Sequence, residues 1–473
     1  MASELGLIGL AVMGQNLVLN LAGRGFRVAV YNRTLETGRR FLKERTPGLP
    51  IVLGQTLEDF VRRLAKPRTV MLMVKAGAAV DEMIARLIPL VSPGDLILDC
   101  GNSYFQDTER RAKELAARNL QFMGVGVSGG EEGALRGPSI MPGGPAEAYA
   151  RVRRIFEAIA ARTEDGPCVT HVGPGGAGHY VKMVHNGLEY GDMQLIAESY
   201  QILEQAGGLP APALAQAFAD YNRGELASYL MEITARIFQE CDPDTGKPMV
   251  EVILDRAGQK GTGRWTSENA LQLGEPTPTI TAAVEARNLS AKKELRVQAE
   301  NAIKTSRLKS PWAVPPENLV PAVGDALYAA RLALYAQGMA LLQAASKEYG
   351  YDLRLPELAR IWKGGCIIRS ELLDVIRAAF QEQPDLPNLL LHPNVVSALA
   401  QRYEAWISVC QTAIAFAIPC PALVSALAYF EGLRRGRLPA NLIQAQRDLF
   451  GAHTFERVDR EGVFHHHWDK KGN

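Results

Sequence analysis

A base, an imidazole, an amide and an acid share one predicted helical face near the middle of the chain. If this segment is helical, Lys182, His185, Asn186 and Glu189 stand at positions i, i+3, i+4 and i+7, with Tyr190 beside them. Helices that face a core carry apolar residues at this spacing. A polar stripe is typical of a solvated helix face. The same stripe also suits proton transfer, in which a base and an acid act on one bound substrate.

A second chemical signal is a glycine-rich turn that follows the first predicted strand and precedes a predicted helix. Its six residues are Gly9, Leu10, Ala11, Val12, Met13 and Gly14. Turns of this kind bring a helix N-terminus close to the pyrophosphate of a dinucleotide. Ala11 replaces the middle glycine of the usual motif, so an ordinary tight turn is the alternative interpretation.

The end of the second predicted strand distinguishes between the two nicotinamide cofactors. NAD-binding domains usually place Asp or Glu there, which binds the ribose 2′-hydroxyl. This chain has Asn32, Arg33 and Thr34 instead. A guanidinium and a hydroxyl would bind a 2′-phosphate, whereas an acid would repel it. The sequence therefore favours NADP over NAD, with an ordinary surface arginine as the alternative.

The elements that must position these residues change character at a glycine-rich break, residues 173–178. Strand and helix patterns alternate before the break, which predicts a doubly wound parallel sheet. The predicted strands are 5–9, 26–31, 69–74, 95–99, 121–127 and 169–172. Long helical patterns follow the break, so the fold class is α/β plus all-α. We predict a Rossmann domain over 1–177, a helical substrate and dimerisation domain over 178–434, and a tail over 435–473 that docks on a partner subunit.

Composition argues against several classes of protein. Lys and Arg total 52 against 51 Asp and Glu, and this balance argues against a surface that binds nucleic acid or membrane. The six cysteines lack metal-ligand spacing and are expected to be free thiols in a reducing compartment, the cytoplasm. No basic segment of a signal peptide opens the chain. The uncharged stretch 405–430 could span a membrane, but Pro419 and Pro421 interrupt it, and we predict two buried helices there.

Together, the motifs resemble the 6-phosphogluconate dehydrogenases (decarboxylating) from about residue 5 to residue 468. Two of these motifs are Val-Lys-Met-Val-His-Asn-Gly at 181–187 and Arg-Asp-Leu-Phe-Gly-Ala-His at 447–453. The others are the stretches 9–16, 32–34, 74–77, 101–103, 127–133, 176–179, 189–192 and 258–263. The departures are Cys100 and Tyr104 beside the Gly-Asn-Ser turn, and the run His465, His466 and His467. We expect no metal at that run, because adjacent side chains in extended backbone cannot all face one ion.

The resemblance implies oxidation of 6-phospho-D-gluconate at C3 by NADP⁺, followed by loss of C1 as CO₂, in the pentose phosphate pathway and gluconate utilisation. Lys182 would be the base, if burial or a neighbouring cation keeps it neutral. Glu189 would be the acid that protonates the enediol. The ammonium of Lys182 would polarise the 3-keto group in place of a divalent cation. We therefore expect a metal-independent reaction.

The resemblance also assigns the remaining contacts. The cofactor would be bound by Gly9, Leu10, Ala11, Val12, Met13, Gly14, Asn32, Arg33, Thr34, Val74, Lys75, Ala76 and Asn102. The substrate would be bound by Asn102, Ser128, Gly129, Gly130, His185, Asn186, Tyr190, Lys260, Thr262, Arg287, Arg447 and His453. Arg447 and His453 would reach from the tail into the site of the neighbouring subunit, so the active form would be a homodimer.

Two alternatives stay open at this point. The chain could be another β-hydroxyacid dehydrogenase that acts on a smaller, unphosphorylated acid, which would not need Lys260, Arg287 or the tail. It could also be a cofactor-binding scaffold without activity. The presence of both Lys182 and Glu189 argues against the scaffold.

Overall fold

The computed structural model describes residues 2–303 and 314–468 of the 473-residue chain. The chain forms two compact units, Met1–Ala426 and Leu427–Asn473. The domain boundaries predicted at residues 177 and 434 follow from composition and stay a prediction.

The N-terminal part is a seven-stranded sheet with strand order β3-β2-β1-β4-β5-β6-β7. The strands are β1 (Leu5–Ile8), β2 (Val28–Tyr31), β3 (Ile51–Leu53), β4 (Thr69–Leu72), β5 (Leu96–Asp99), β6 (Gln121–Val127) and β7 (Ile140–Gly143). Neighbouring strands are parallel, except that β7 is antiparallel to β6. All residues of β1, β2, β4 and β5 are buried, as expected for parallel strands covered by helices on both faces.

The sequence pattern misplaced one strand and missed two. Residues 169–172 do not form the predicted strand, because the chain meets β7 there only at two isolated bridges, Val169 with Ile140 and Gly173 with Gly143. The missed strands are β3, which has three residues, and β7, which contains Pro142 and Gly143. Proline and glycine are unfavourable in strands, so the alternation pattern does not detect β7. A small hairpin, β8 (Arg162–Thr163) and β9 (Gly166–Pro167), follows.

Helices cover the sheet and then form the rest of the first unit, and the last of them, α19, continues into the second unit. The sheet helices are α1 (Val12–Gly23), α2 (Leu35–Arg45), α3 (Leu57–Arg62), α4 (Ala78–Leu87), α5 (Phe105–Ala116), α6 (Gly130–Arg136) and α7 (Ala146–Ile159). The next helices are α8 (Ala177–Gln205), α9 (Ala211–Tyr221), α10 (Tyr229–Ile237), α11 (Met249–Val252), α12 (Thr262–Leu273), α13 (Pro278–Ser290) and α14 (Lys293–Ala302). They are followed by α15 (Pro316–Tyr349), α16 (Leu355–Trp362), α17 (Leu372–Glu382), a 3-10 turn (Leu389–Leu391), α18 (Pro393–Ala415) and α19 (Pro421–Leu433). The predicted fold class is confirmed.

The central helix of this part is α15, which packs against α8 and α18. It is long and apolar enough to cross a membrane by length and composition, but 72% of its most apolar window is buried inside the protein. The uncharged stretch 405–430 is divided between α18 and α19, as predicted from its two prolines. Trp406 and Leu423, one in each helix, are fully buried.

Helix α8 carries the polar stripe, and its N-terminal half lies unusually close to the edge of the sheet. A Cβ atom added to Gly126 of β6 would stand 2.5 Å from Cβ of Lys182. A Cβ atom added to Gly143 of β7 would stand 2.1 Å from the main-chain nitrogen of Gly178. Real Cβ atoms do not approach so closely, so glycine at these strand positions lets the helix dock.

Two buried carboxylates attach the other half of α8 to the helical part. Asp192 pairs with Arg331 of α15 at 2.8 Å, and both side chains are fully buried. Glu198 accepts hydrogen bonds from the main-chain nitrogens of Ala422 and Leu423, which begin α19. Breaking such buried pairs is costly because the remaining charge loses its partner. Helix α8 therefore has one fixed position relative to the sheet and to α15.

The second unit is small. It contains α20 (Ala440–Gly451) and an antiparallel hairpin of β10 (Phe455–Glu456) and β11 (Val463–Phe464).

We expect Gly143→Ala to destabilise the protein, because the new methyl group meets backbone that cannot rotate away. Overpacking of this kind costs about 1–3 kcal/mol, so the midpoint of thermal unfolding should fall by several degrees. Gly23→Ala is the matched control, since no heavy atom lies within 4 Å of the added Cβ and alanine favours a helix. Its midpoint should stay or rise. Equal midpoints for Gly143→Ala and the wild type would contradict the close docking of α8.

Candidate active site

The turn between β1 and α1 has the geometry that a pyrophosphate site requires. Gly9 has φ +105°, and a Cβ atom there would stand 2.3 Å from the carbonyl oxygen of Met73. A Cβ atom on Gly14 would stand 1.9 Å from the carbonyl oxygen of Gly9. Ala11 is the N-cap of α1 and is exposed. The glycines thus permit the tight turn, and the N-terminus of α1 is open to a ligand.

Asn32 joins this turn to the next one. Its side-chain oxygen accepts a hydrogen bond from Leu10 N at 3.0 Å, and its amide nitrogen donates to Thr34 O at 3.0 Å. Arg33 and Thr34 are exposed at the start of α2, and the side chain of Thr34 does not cap the helix. A hydroxyl, a guanidinium and a helix N-terminus therefore stand ready for a phosphate, which fits NADP.

The two turns that follow β4 and β5 carry the other predicted cofactor residues. Val74, Lys75 and Ala76 lie in the first turn, and Asn102 is exposed in the second. Buried Arg111 connects the two turns, since Nη2 donates to Gly77 O at 3.1 Å and Nη1 lies 3.4 Å from the side-chain oxygen of Ser103.

Sequence reasoning missed the supports of these turns. The guanidinium of Arg111 also pairs with Asp81 at 2.8 Å and with Asp99 at 3.4 Å. Asp99 in turn accepts hydrogen bonds from Gly101 N and from the Ser103 hydroxyl. In the sequence, these residues look like ordinary charged residues of a helix face. Their contacts join α4, β5 and α5, and the spacing along the chain does not reveal such contacts.

The structure brings the centre of the polar stripe together with the turn after β6. Lys182 Nζ donates to Ser128 Oγ at 3.0 Å and lies 3.4 Å from Nδ1 of His185. Nε2 of His185 lies 3.4 Å from Ser128 Oγ. Glu189 lies one turn further along α8, with Oε2 4.0 Å from the same His185. Lys182, His185 and Ser128 are buried, and Glu189 is partly exposed.

Burial shifts the pKa of each of these groups. It lowers the pKa of Lys182 below its ordinary 10.5, although the charge of Glu189 opposes this. It also lowers the pKa of His185 well below 6.5, with help from Lys182. The pKa of Glu189 is raised above 4.5 by burial, against the effects of Lys182 and Arg287. Low dielectric thus favours a neutral amine and a protonated acid on one helix. Such a pair is typical of acid–base catalysis.

A segment between α16 and α17 supports the turn of Ser128, Gly129 and Gly130. Gly129 has φ +99°, and a Cβ atom there would stand 2.5 Å from the carbonyl oxygen of Gly365. Trp362 packs its ring edge against His185 with a centroid distance of 5.5 Å. The sequence patterns predict no site role for this segment. The Gly364-Gly365 pair, a break between two helical patterns, is the signal that could have found it.

The distal residues form a second, more polar group. Asn186 Nδ2 donates to Thr262 Oγ1 at 3.2 Å, where α12 begins. The guanidinium of Arg287 lies 3.5 Å from the ring centroid of Tyr190 and donates to Gly258 O. Lys260 is exposed on the same loop. This group therefore contains two cations, a hydroxyl and the N-terminus of α12. Groups of these kinds bind phosphate in proteins.

Arg447 and His453 lie in the second unit, where His453 N lies 3.5 Å from the carbonyl oxygen of Arg447. Their predicted place in the neighbouring subunit's site stays a prediction. Among residues 2–303 and 314–468, no group of three or more His, Cys, Asp or Glu side chains is arranged to hold a metal ion. Metal independence likewise stays a prediction.

Comparison with known proteins decides the family. Residues 4–173 match the model of the NAD binding domain of 6-phosphogluconate dehydrogenase, and residues 178–468 match the model of 6-phosphogluconate dehydrogenase, C-terminal domain. The chain belongs to the 6-phosphogluconate dehydrogenase family.

Individual relatives agree along the whole length of the chain. The decarboxylating 6-phosphogluconate dehydrogenase of Synechococcus elongatus is 55% identical, over 98% of this chain and 99% of the relative. The NADP(+)-dependent, decarboxylating enzyme of Bacillus subtilis is 53% identical, over 99% of both. The 6-phosphogluconate dehydrogenase of Plasmodium falciparum, solved in its apo form and with NADP+ and with 6-phosphogluconate, superposes with a TM-score of 0.95 at 44% identity. It covers 98% of this chain and 100% of its own.

We expect Arg33→Ala to weaken NADP binding and to leave NAD binding unchanged, because only NADP carries the 2′-phosphate. Hydrogen bonds to charged groups contribute about 1.5–3 kcal/mol, so the Kd for NADP should rise about 10-fold or more. Arg153→Ala, which removes another exposed arginine of the same domain, is the control and should change neither Kd. Equal losses for NADP and NAD would contradict the assignment.

Proposed function

We propose that this protein oxidises 6-phospho-D-gluconate at C3 and then decarboxylates it to D-ribulose 5-phosphate, with NADP⁺ as the hydride acceptor. One observation carries the proposal: Lys182 and Glu189 stand on one rigid helix, and burial favours the neutral form of the first and the protonated form of the second. The full-length relatives confirm the predicted enzyme class and the predicted cofactor. The roles of individual residues belong to the proposal.

Oxidation requires a base at the C3 hydroxyl. When bound, NADP⁺ supplies a hydride acceptor at its nicotinamide ring. Neutral Lys182 takes the proton of the C3 hydroxyl as C3 loses its hydride, and becomes an ammonium. Ser128 holds Nζ in place at 3.0 Å. Because His185 is kept neutral in the same pocket, it can hydrogen-bond a sugar hydroxyl without repelling the new charge.

Decarboxylation uses the charge that oxidation created. The ammonium of Lys182 donates a proton to the C3 carbonyl oxygen as the C1–C2 bond breaks and its electron pair forms the enediol. Protonated Glu189 then protonates the carbon that becomes C1 of the product, while the neutral amine of Lys182 takes back the proton of the enediol oxygen and leaves the ketone. A proton transfer from Lys182 to Glu189 restores both residues. Two helical turns separate the Cα atoms of Lys182 and Glu189 by about 10 Å along the axis. Long side chains can converge from that distance on a six-carbon substrate.

The remaining groups orient the substrate between these two residues. The turn of Ser128, Gly129 and Gly130 offers a hydroxyl and main-chain nitrogens to the carboxylate. His185, Asn186 and Asn102 bind hydroxyls. The phosphate lies between Lys260, Arg287, Thr262 and Tyr190, at the opposite end. A smaller, unphosphorylated acid would leave the cations at that end unpaired, and this disfavours the alternative β-hydroxyacid dehydrogenase.

We further propose a homodimer in which Arg447 and His453 bind the phosphate in the partner's site. Exposed Leu442, Ile443 and Phe450 on α20 support the proposal, because such apolar side chains suit contact with another subunit. The cytoplasm is the proposed location. It is consistent with the bacterial relatives, while the names of several plant relatives place those proteins in the chloroplast.

We expect NADPH to form from 6-phosphogluconate but not from 3-hydroxyisobutyrate, with or without a chelator.

Lys182→Ala should lower kcat more than about 10²-fold, the lower end of general acid–base contributions. The rate should fall at acid pH, where Lys182 is protonated, and at alkaline pH, where Glu189 loses its proton. Glu189→Gln should lower kcat and abolish the alkaline decline.

The matched control for Lys182→Ala is Lys293→Ala, which removes a lysine from a surface ion pair with Asp255. It should retain wild-type kcat. A Lys182→Ala enzyme with near-normal turnover, or loss of activity with the chelator, would refute the proposed mechanism.

Mixing two impaired variants, assayed at a 6-phosphogluconate concentration that does not saturate Arg447→Ala, tests the shared site. We expect Lys182→Ala and Arg447→Ala dimers, unfolded and refolded together, to regain activity, because each hybrid has one site with an intact lysine and an intact partner tail. Random mixing should restore about a quarter of the wild-type rate. Refolding each variant alone is the control. No recovery in the mixture, with hybrids verified by native mass spectrometry, would show that the tail does not complete the partner's site.

A further inference from the structure

Asp448 is the only buried member of α20 among the residues that the structure describes. Four hydrogen-bond donors surround its carboxylate. Oδ1 accepts from Thr454 N at 3.0 Å and lies 2.8 Å from Nδ1 of His465. Oδ2 accepts from His466 N at 3.0 Å and from the indole nitrogen of Trp468 at 2.8 Å. One side chain therefore holds both the turn after α20 and the end of the tail.

The turn that Asp448 holds is the one that carries His453. It contains two residues with positive φ, Ala452 at 50° and Thr454 at 60°. Non-glycine residues adopt this conformation at a cost, so the surroundings must hold it in place. The hydrogen bond from Thr454 N to Asp448 fixes the residue immediately after His453. A Cβ atom on Gly451 would stand 2.8 Å from the imidazole of His453, which therefore lies across Gly451.

Asp448 is charged at neutral pH. Burial by itself raises its pKa, but the hydrogen bonds from His466, His465 and Trp468 together hold it well below the ordinary value of 3.8. A buried carboxylate that accepts four bonds is stable only while its donors are in place. The tail segment 454–468 and α20 therefore hold each other.

We propose that Asp448 is a positioning residue that holds Arg447 and His453 as a preformed pair for the phosphate of the substrate. The inference rests on the proposed role of the tail. It adds a physical reason why Arg447 and His453 keep fixed positions although the second unit is small. It also gives the run of histidines a structural role. His465 binds Asp448 through its ring, and His466 binds it through its main chain while its ring packs on Trp468.

Asp448→Asn tests the proposal. It keeps the side-chain volume but replaces one carboxylate oxygen, an acceptor, by an amide nitrogen, a donor that would face the donors around Asp448. The KM for 6-phosphogluconate should rise at least tenfold, while the KM for NADP and kcat at saturating substrate change less than twofold. Trp468→Phe, which removes one donor and keeps an aromatic ring, should have a smaller effect in the same direction. Asp459→Asn is the matched control, since this carboxylate pairs with Arg457 at the exposed surface of the same tail, and should leave all three constants unchanged.

Amide exchange provides a readout that does not depend on activity. In the intact dimer, peptides that cover 453–468 should exchange faster in Asp448→Asn than in Asp459→Asn, and peptides of α8 should not differ. A parallel rise of both KM values, or unchanged constants in Asp448→Asn, would overturn the positioning role. If Arg447→Ala itself left the KM for 6-phosphogluconate unchanged, the proposed role of the tail in substrate binding would be refuted. The positioning role would then fail with it, even where exchange shows that Asp448 holds the tail.

Discussion

The close docking of α8 on the edge of the sheet is the constraint on which the site depends. Gly126 and Gly143 leave no space for a side chain between β6, β7 and the helix. Lys182 is therefore pressed against the strand that leads to Ser128, and its amine is removed from water. Protein interiors pack at crystal-like density, so the position of the strands determines the position of α8 and of Lys182. A helix set further from the sheet would leave Lys182 hydrated and charged.

In the proposed mechanism, the ammonium of Lys182 takes the place of a divalent cation. A neutral amine would accept a proton in one step and donate it in the next, so one residue would serve both oxidation and decarboxylation. Glu189 is shifted in the opposite direction by the same cause. Burial favours the uncharged form of every titratable group, and therefore it favours the amine form of Lys182, which can accept a proton, and the acid form of Glu189, which can donate one.

The candidate site residues are supported by residues outside the site. Arg111 joins the turns that follow β4 and β5, Gly365 backs the turn that follows β6, and Asp448 holds the tail. Arg111 and Gly365 connect elements that are distant in sequence, whereas Asp448 connects α20 to the segment that follows it. Arg111 and Asp448 are buried. Precise placement of a site requires such supports, because catalytic geometry tolerates only small displacements.

The sequence by itself determined the family, the fold class, the cofactor and the polar stripe. These depend on local patterns: a glycine-rich turn after a strand, a missing acid at residue 32, and spacing along one helix. Short or proline-containing strands such as β3 and β7 escaped detection, because their pairing is decided by the neighbouring strand and not by their own composition. Only the tertiary structure decided that Lys182 and His185 of the stripe are buried and not solvated. It alone identified Arg111, Gly365 and Asp448 as supports, because desolvation and long-range hydrogen bonds depend on what packs against a residue in space.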